Sequence, residues 1–457
     1  MNARGKFRYT LLLAGSLCTA APGFAATTAE TVDARITRLE QELAELKALV
    51  QTRPAATAET PALTKKAEPS TSLPVSIGSG VKVQLYGFAR FDGSYDTNPI
   101  YPGNYAFWAL PKNGRNNDAE WDLTAGATRI GLNLSGPDTE RMKLTGNIEL
   151  DFLTGISSEN NQAPRLRHGY IKAYWPASDF SILAGQTWDL VSSLIPFVDD
   201  PALMWYAGNI GSRHAQVRVT KGFASGNNGR LEVAVAASRT IGEKGTLTQT
   251  SPLPTITQAD TGKDAAFPSI QGRVAFSEPL IVKNQPATIA LSGHYGQEEW
   301  DTNSTGGYKT LDSWSFNLEL SMPLSEKVLF AGEYFTGTNL DDYLGGIGQG
   351  VNNAMQADPR EIRAQGGWGA LRYTINPETS VSLGAGIDDP NDNDLPAKDS
   401  GLINPSRTRN QTIFANVITK LTPNFILGLQ LSDWKTDYKN APGSDALRAQ
   451  TSLTYKF

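Results

Sequence analysis

The feature of the sequence that most constrains its fold is a series of short segments in which apolar and polar residues alternate. Alternation with a period of two is typical of β-strands, because successive side chains point to opposite faces of a sheet. Each segment is near the length of a tilted membrane-spanning strand, roughly 9–11 residues. The clearest segments are VKVQLYGFARFDGSY, ATRIGLNLS, KLTGNIELDF, HAQVRVT, RLEVAVA, SIQGRVAF, SFNLELS, SVSLGAG, FILGLQLS and ALRAQTSLTYKF.

The connections between these segments alternate in length. We predict long loops at residues 96–125, after 152, and at 188–213, 240–267, 297–310, 337–360, 389–407 and 436–444. Tight turns lie between them, at SGPDTER, WPASD, KGFASGNNG, SEPLIVKNQ, MPLSEK, NPET and LTPN. A membrane barrel has a physical reason for this alternation, because its periplasmic turns are short and its extracellular loops are elaborated. The pattern predicts an all-β fold in which residues 81–457 form a 16-stranded antiparallel transmembrane β-barrel with no strand edge exposed to lipid.

The last segment ends on an aromatic residue. Phe457, Tyr455 and Leu453 fall on one face of the predicted strand, and Lys456 and Thr454 fall on the other. We expect Phe457 and Tyr455 to lie in the aromatic girdle at a membrane interface. A terminal Phe on such a strand also resembles the signal that barrel-assembly machinery recognises.

The first 25 residues have the pattern of a secretory signal peptide. Arg4, Lys6 and Arg8 precede an apolar stretch that ends in small residues, so we predict residues 1–25 to be cleaved. Cys18, the single cysteine, lies inside this segment, which excludes disulfides and thiolate metal sites from the mature chain. The sequence contains no later run of about 20 apolar residues, which excludes a helical membrane protein. The net charge of −5 gives no indication of nucleic-acid binding.

Residues 26–51 predict a short α-helical coiled coil, and residues 52–80 predict a Pro-rich disordered linker. Arg35 and Glu40 resemble the pattern of trimeric coiled coils, so we expect a homotrimer. A lone amphipathic helix is the alternative, because about three heptads are marginal for an isolated pair of helices. The apolar residues that define the heptads are Val32, Ile36, Leu39, Leu43, Leu46 and Val50.

Signal peptide, short coiled coil, Pro-rich linker and barrel together resemble the DcaP-like porins, trimeric outer-membrane channels associated with uptake of dicarboxylates and related anions. The resemblance covers the mature chain and is strongest over residues 81–220. It implies the outer membrane of a Gram-negative bacterium, contact with its lipid, and a periplasmic coil that could bind peptidoglycan or another partner. The segments that carry it are YGFAR, TRIGLNLSGP, IELDF, RLRHGY, LAGQTWD and GSRHAQVRV.

The alternation also predicts which charged residues face the lumen. A charge on the lipid face costs about 2–4 kcal/mol at the membrane midplane, so charged residues between apolar ones are assigned inward. Arg165 and Arg167 share their parity with Ile171 and Ala173, so only a bulge would reconcile both assignments. The predicted pore-lining and substrate-binding residues are Arg90, Arg129, Arg165, Arg167, Arg213, Arg218, Arg273, Glu149 and Asp151.

Two interpretations of these charges remain open. In the first, the arginines pair with acids and stiffen the wall; a hairpin turning at Asp138 or Thr139 would place Arg129 opposite Asn147 or Glu149. In the second, the arginines form a basic cluster that also attracts anionic solutes, because a guanidinium presents forked donors to a carboxylate.

The segment 188–213 is too apolar for a solvated loop. Loops of this length are usually functional, so we expect it to fold into the lumen and narrow it. Asp199 and Asp200 would then lie at the constriction. The alternative is an interface between subunits, at which the apolar residues Leu194, Ile195, Phe197 and Trp205 would pack.

Catalytic and cofactor motifs are weak. The chain has no G-x-S-x-G, no H-E-x-x-H and no P-loop, and its histidines are His168, His214 and His294. We expect neither an enzyme nor a cofactor or metal site; an outer-membrane hydrolase with a His beside a Ser or Asp at the rim is the alternative. IDDPNDNDLPAKD lacks the ligand spacing of an EF-hand, and GGIGQG is expected to be a flexible loop.

The expected function is a water-filled channel for passive diffusion of small, preferentially anionic solutes such as dicarboxylates. An envelope-tethering or adhesive protein, in which the barrel is mainly an anchor, is the alternative from another class. Trimeric adhesins place a short anchor after a long passenger, whereas here the barrel is most of the chain and the coil is small. This proportion favours transport.

Overall fold

The structure is a computed structural model that describes residues 74–78, 80–112, 118–153, 162–226, 228–239, 265–302, 307–352, 358–397 and 405–457. The predicted signal peptide, the predicted coiled coil and most of the predicted Pro-rich linker lie outside these residues. None of the helices in the described part of the chain is long and apolar enough to cross a membrane.

Sixteen antiparallel strands of the described residues form one closed barrel, which confirms the predicted barrel. The first and last strands pair from Phe88 and Lys456 to Asp96 and Arg448, and this pairing closes the barrel. The strands are β1 Val81–Asp96, β2 Glu120–Thr124 with Arg129–Ser135, β3 Lys143–Asp151, β4 Arg165–Trp175, β5 Phe180–Trp188, β6 Arg213–Ser225, β7 Gly229–Ser238, β8 Ser269–Val282, β9 Gln285–Asp301, β10 Tyr308–Pro323, β11 Val328–Thr338, β12 Arg363–Thr374, β13 Thr379–Pro390, β14 Arg407–Thr422, β15 Phe425–Tyr438 and β16 Ala441–Lys456.

Smaller elements lie outside the barrel ladder. Val75–Ile77, assigned above to the linker, is a strand that pairs antiparallel with Val81–Val83 at the start of β1. The others are the strand pairs Ile100–Pro102 with Ala106–Ala109 and Val351–Asn352 with Arg360–Glu361, and the 3₁₀ turns Pro176–Ser178, Asp341–Tyr343 and Gly346–Gly348.

The two faces of the wall are inverted relative to those of a soluble sheet. On β10 the side chains of Trp314, Phe316 and Leu318 are exposed, whereas those of Asn317 and Glu319 are buried. The same alternation runs along the neighbouring strands, because the apolar side chains of a membrane barrel face outward and the polar ones face the lumen. The outer surface is therefore suited to lipid.

The predicted alternation of connections is wrong at two places. The first is the long loop predicted at residues 297–310, because β9 and β10 are joined by residues 302–307 alone. The second is the connection between β15 and β16. β15 and β16 are joined by Lys439 and Asn440 alone, and Thr436 pairs with Ser444, so residues 436–444 form a tight hairpin instead of a long loop. Asn440 has a positive φ of 58°, which asparagine tolerates in short hairpin turns. The segment is polar, and tight turns and long loops are both polar. Composition alone therefore does not predict which of the two forms.

Three long connections, L1 (97–119), L3 (189–212) and L6 (339–362), have described residues that lie inside the barrel. Their apolar side chains, together with small and aromatic residues of the wall, form a buried cluster inside the barrel. Its members are Ile100, Ala106 and Ala109 of L1, Leu194, Phe197, Met204 and Ala207 of L3, and Ala331, Trp368, Ala370, Phe414, Trp434 and Ala446 of the wall.

L6 differs from the flexible loop expected at GGIGQG. Gly346 and Ile347 are buried, and the backbone forms turns through Gly348 N–H to Gly345 O and Gln349 N–H to Gly346 O, both at 3.0 Å. Gly346 and Gly348 have positive φ, which glycine adopts without strain. The glycines therefore shape a packed turn in the lumen.

Candidate functional site

L3 crosses from β5 and then runs along the opposite inner wall. Its first half is attached, in order of sequence, to β8, β9, β10 and β11. The four hydrogen bonds are Leu190 N–H to Gln271 Oε1 (2.8 Å), Ser192 N–H to Ser292 Oγ (3.3 Å), Ser193 Oγ to Glu319 Oε2 (2.8 Å) and Leu194 N–H to Glu333 Oε1 (2.7 Å).

The second half of L3 continues to β14, β15, β16 and β1. The contacts are Asn416 Nδ2 to Phe197 O (2.7 Å), Asp199 N–H to Gln430 Oε1 (2.7 Å), Arg90 Nη2 to Asp199 O (2.7 Å) and Arg448 Nε with Asp200 Oδ2 (3.7 Å). L3 therefore lies in the lumen, as the sequence analysis expected. The alternative of a subunit interface is wrong for Leu194, Phe197 and Trp205, which are buried inside the barrel of one chain.

We call β8–β16 with β1 the loop-covered wall and β2–β7 the arginine-rich wall. On the loop-covered wall the two predicted pore-lining arginines, Arg90 and Arg273, are paired with acids. Arg273 donates to Glu319 at 2.8 Å, and its exposed fraction is 8%. Arg90 forms a forked pair with Asp92 at 2.6 and 2.9 Å. Both predicted pore-lining arginines therefore hold the wall and L3 together.

The acids of this wall hold L3 as well. Glu333 accepts hydrogen bonds from Leu194 N–H at 2.7 Å and from Trp368 Nε1 at 2.8 Å. Asp200 on L3 is fully buried and lies near Arg448, which is shared with Asp96 at 2.9 Å. Burial raises the pKa of Asp200 to about 6, although Arg448 and two backbone N–H groups partly oppose the shift.

On the arginine-rich wall, Arg129, Arg165 and Arg167 meet two acids. Arg165 pairs with Asp151 at 2.8 Å, and Arg167 bridges Glu149 and Asp151 at 2.7 Å each. Arg129 Nε lies 3.4 Å from Glu149 but its strand partner is Asp151, so the predicted register, which placed it opposite Glu149 or Asn147, is wrong. The turn between β2 and β3 is centred farther along the chain than the sequence analysis placed it.

A bulge in β4 brings both Arg165 and Arg167 into the lumen. Glu149 pairs with His168 whereas Leu150 pairs with Leu166, so Arg167 is the extra residue. Beyond the bulge the parity is reversed, and Ile171 faces outward with an exposed fraction of 68%. This is the irregularity that the sequence required for both arginines to face inward.

Arg213, at the start of β6, lies over aromatic rings. Its guanidinium carbon is 4.3 Å from the ring centre of Trp188 and 5.6 Å from that of Trp205. Its Nη1 atom is buried without a hydrogen-bond partner, and no carboxylate of the described residues lies within 4.0 Å of the side chain. Arg213 is thus held by stacking, and its charge has no direct counterion in that part of the chain.

Lys172 and Arg218 are two further cations that lie near each other on this wall. Lys172 was not among the residues predicted from the sequence. Both are cross-strand neighbours of Leu183, on either side of β5, so their backbones are about 10 Å apart. Arg218 donates to Gln216 Oε1 at 2.9 Å and to the Trp188 carbonyl. Within the described residues neither side chain has a carboxylate partner within 4.0 Å. The inward parity of Lys172 was hidden by the bulge that precedes it.

The three histidines lie within the barrel wall. His214 Nδ1 is 2.9 Å from Asp189 Oδ2, and His168 Nδ1 is 3.1 Å from Thr187 Oγ1. His294 lies under the ring of Tyr343, with centroids 3.9 Å apart. Over the ranges that the structure describes, no group of three or more His, Cys, Asp or Glu side chains is arranged to hold a metal ion.

Comparison with solved structures connects this geometry to known channels. The outer-membrane channel DcaP of Acinetobacter baumannii matches with a TM-score of 0.64 and 18% identity, over 84% of this chain and 99% of that chain. The chain has a porin fold. OmpF of Salmonella typhi, in a complex with daunomycin, matches with a TM-score of 0.50 and 12% identity, over 84% of this chain and 100% of that chain.

No protein-family model matches the sequence, and no curated protein does. The two structural matches are 18% and 12% identical to this chain in sequence, and similarity at this level shows the porin fold alone. The resemblance to DcaP-like porins that the sequence indicated is confirmed at that level.

Proposed function

We propose that this protein is an outer-membrane porin that forms a water-filled channel for passive diffusion of small, preferentially anionic solutes such as dicarboxylates. The observation that carries the proposal is the set of cations on the arginine-rich wall without a carboxylate partner in the described residues: Lys172, Arg213 and Arg218. L3 runs along the loop-covered wall, so the arginine-rich wall borders the rest of the lumen.

The pairing pattern supports a division of labour among the predicted pore residues. Arg90 and Arg273 are neutralised by Asp92 and Glu319, so their role is structural. Arg129, Arg165 and Arg167 share only two acids, Glu149 and Asp151, and their surplus charge adds to the field of the partnerless cations. In a narrow lumen with low-dielectric walls, such charges concentrate anions.

The spacing of Lys172 and Arg218 suits solutes with two anionic groups. A dianion can contact one cation with each carboxylate, and neither contact is strong enough by itself to retain the solute. Weak binding at several sites permits both entry and release, which conduction requires. Asp199 and Asp200 do not oppose this field directly, because they are engaged with Arg90 and Arg448.

The proposal is tested by measuring the reversal potential of single channels in a salt gradient. The double variant Lys172→Gln/Arg218→Gln should shift the reversal potential toward cations and should weaken succinate blockage more than blockage by a neutral sugar. The matched control is Arg141→Gln/Lys327→Gln, which removes one Arg and one Lys from exposed turns. An unchanged reversal potential in the double variant would contradict anion preference, and absence of any conductance would favour the anchor function.

We also propose that residues 1–25 are a signal peptide, that residues 26–51 form a periplasmic coil after the outer membrane is reached, and that residues 52–80 tether the coil to the barrel of a homotrimer. A chain that begins at Val81 should still fold in detergent, because the barrel is closed without the coil. Light scattering of the full-length protein gives its subunit number. A dimer would contradict the trimer.

A further inference from the structure

Arg372 is a luminal cation on the loop-covered wall that differs from the paired Arg90 and Arg273. It lies on β12 between Leu371 and Tyr373, whose exposed fractions of 42% and 44% place them on the outer face. The Arg372 side chain therefore points inward. Unlike Arg273 and Arg90, it has no carboxylate within 4.0 Å among the described residues.

The guanidinium of Arg372 is held by L3. Its carbon atom lies 3.9 Å from the ring centre of Phe197, which is the shortest stacking distance of any cation over an aromatic ring in the described part of the chain. Phe197 is in turn fixed by the hydrogen bond from Asn416 Nδ2 to its carbonyl at 2.7 Å. The stack fixes the plane of the guanidinium and leaves its N–H edges available.

Those edges have no acceptor within the residues that the structure describes, and none of the nitrogen atoms is sealed from solvent as a buried unpaired atom. Ser382 is the cross-strand neighbour of Arg372 on β13 and adds a hydroxyl beside it. A planar donor edge next to a hydroxyl is suited to bind a carboxylate through two parallel hydrogen bonds.

This group lies on a different wall of the lumen from Lys172 and Arg218. Arg372 is two residues from the end of β12, at the tight turn 375–378 on the periplasmic side, and it lies on the wall along which L3 runs. Lys172 and Arg218 lie on the other wall, on β4 and β6, and Lys172 is likewise only three residues from the periplasmic end of its strand.

We propose that Arg372, Phe197 and Ser382 form a second anion subsite, on the periplasmic side of L3, which takes one carboxylate group or a small inorganic anion. The inference rests on the proposed porin function. A solute that leaves the cations of the arginine-rich wall can be received by Arg372 on the other wall of the lumen, so the two sites are separate.

The experiment compares succinate blockage of single channels from the two sides of the bilayer. Arg372→Gln should lower the association rate of succinate added on the periplasmic side by about three- to tenfold, since a charged donor pair is lost, and should change the extracellular rate less than twofold. Arg372→Lys should recover part of the periplasmic rate. The matched control is Arg363→Gln on the same strand, where Arg363 is exposed and paired with Asp394.

Channel orientation can be read from a single cysteine at Asn440 in the β15–β16 hairpin, labelled by a thiol reagent that cannot cross the membrane. The chain has one other cysteine, Cys18, which lies in the segment predicted to be cleaved. The mature variant would therefore react at one position.

Two results would overturn the subsite. If Arg372→Gln changes both association rates equally and raises the conductance, Arg372 acts only by holding Phe197. If it changes neither rate while Lys172→Gln/Arg218→Gln still shifts the reversal potential, the subsite fails and the porin function stands. If neither variant alters selectivity or blockage, the proposed function fails as well.

Discussion

Both walls of the lumen carry inward-facing arginines, but the groups that these arginines contact differ. On the loop-covered wall Arg273 meets Glu319 and Arg448 meets Asp96, at 2.8 and 2.9 Å. On the arginine-rich wall, Arg218 donates to neutral acceptors, and within the described residues it has no carboxylate at such a distance. An inward arginine that meets an acid is therefore structural, whereas one without an acid among the described residues, such as Arg218 or Arg372, is available to solutes.

The largest expected effect is on the loop-covered wall. Glu319→Leu leaves the buried Arg273 with the more distant Glu232, at 3.9 Å, and removes an acceptor for Ser193 on L3. The free energy of unfolding should fall by about 3–5 kcal/mol, because the buried Arg273 loses the acid to which it is hydrogen-bonded. Urea unfolding of the barrel in lipid vesicles measures it.

Glu326→Gln is the control for this change, because Glu326 lies exposed in the turn between β10 and β11. It should alter the free energy of unfolding by no more than about 0.5 kcal/mol. A loss below about 1 kcal/mol in Glu319→Leu would remove the distinction between the two walls.

The next effect depends on pH. The pKa of Asp200 on L3 is raised by burial from 3.8 to about 6, so the folded protein binds this proton more tightly than the unfolded chain does. The resulting stabilisation is fully present below pH 4 and is lost as the pH rises through about 6.

The stability of the wild type relative to Asp200→Asn should therefore decline between pH 4 and pH 7, by about 2–3 kcal/mol. The measurement is the free energy of unfolding of both proteins across this range. A difference that is independent of pH would show that Arg448 keeps Asp200 ionised throughout.

A smaller effect is expected at Tyr343, which joins L6 to L3 and to the wall. Its hydroxyl is 2.8 Å from Ser269 Oγ, and its carbonyl accepts the Gly211 N–H at 2.6 Å. Tyr343→Phe should cost about 1 kcal/mol and increase the noise of the open-channel current, because the hydroxyl that attaches L6 to the wall is lost. Tyr308→Phe, at an exposed position, should leave both quantities unchanged. Equal current noise in the two variants would show that the attachment of L6 does not affect the constriction.

The smallest effect on stability is expected on the arginine-rich wall. Lys172→Gln should change the free energy of unfolding by no more than about 0.5 kcal/mol, because the side chain has no carboxylate partner among the described residues. The same variant should shift the reversal potential measurably. A large loss of stability without a shift of the reversal potential would show that Lys172 stabilises the barrel and does not act on solutes. The difference between the two walls would then not hold at this residue.

Sequence reasoning succeeded where one strand carries the whole signal. The parity of β1 and β6 placed Arg90 and Arg218 on the luminal face, and the conflict in β4 identified the need for the bulge that the structure has at Arg167. The strand register between β2 and β3 was misplaced, because it depends on where a seven-residue turn is centred. Lys172 was missed because the bulge at Arg167 hides its parity, and Arg372 was missed although it lies between the exposed Leu371 and Tyr373.

L6 shows a different reason for failure. Its glycines indicate a permissive backbone, and such a backbone fits both a solvated loop and a packed turn. Contacts with residues distant in the sequence determine that L6 is a packed turn. One of them is Asp388, whose carboxylate accepts the Ile347 N–H at 3.2 Å.

The sequence by itself determined the barrel class and the inner and outer faces, because strand alternation against lipid is a local property of each segment. Only the tertiary structure decided what each inward arginine meets. Arg90 and Asp199 are 109 residues apart in the chain and are brought together by the path of L3 across the lumen. Contacts between residues distant in the sequence decide whether a cation stabilises the wall or is available to solutes. The alternation of apolar and polar residues along one strand contains no information about such contacts.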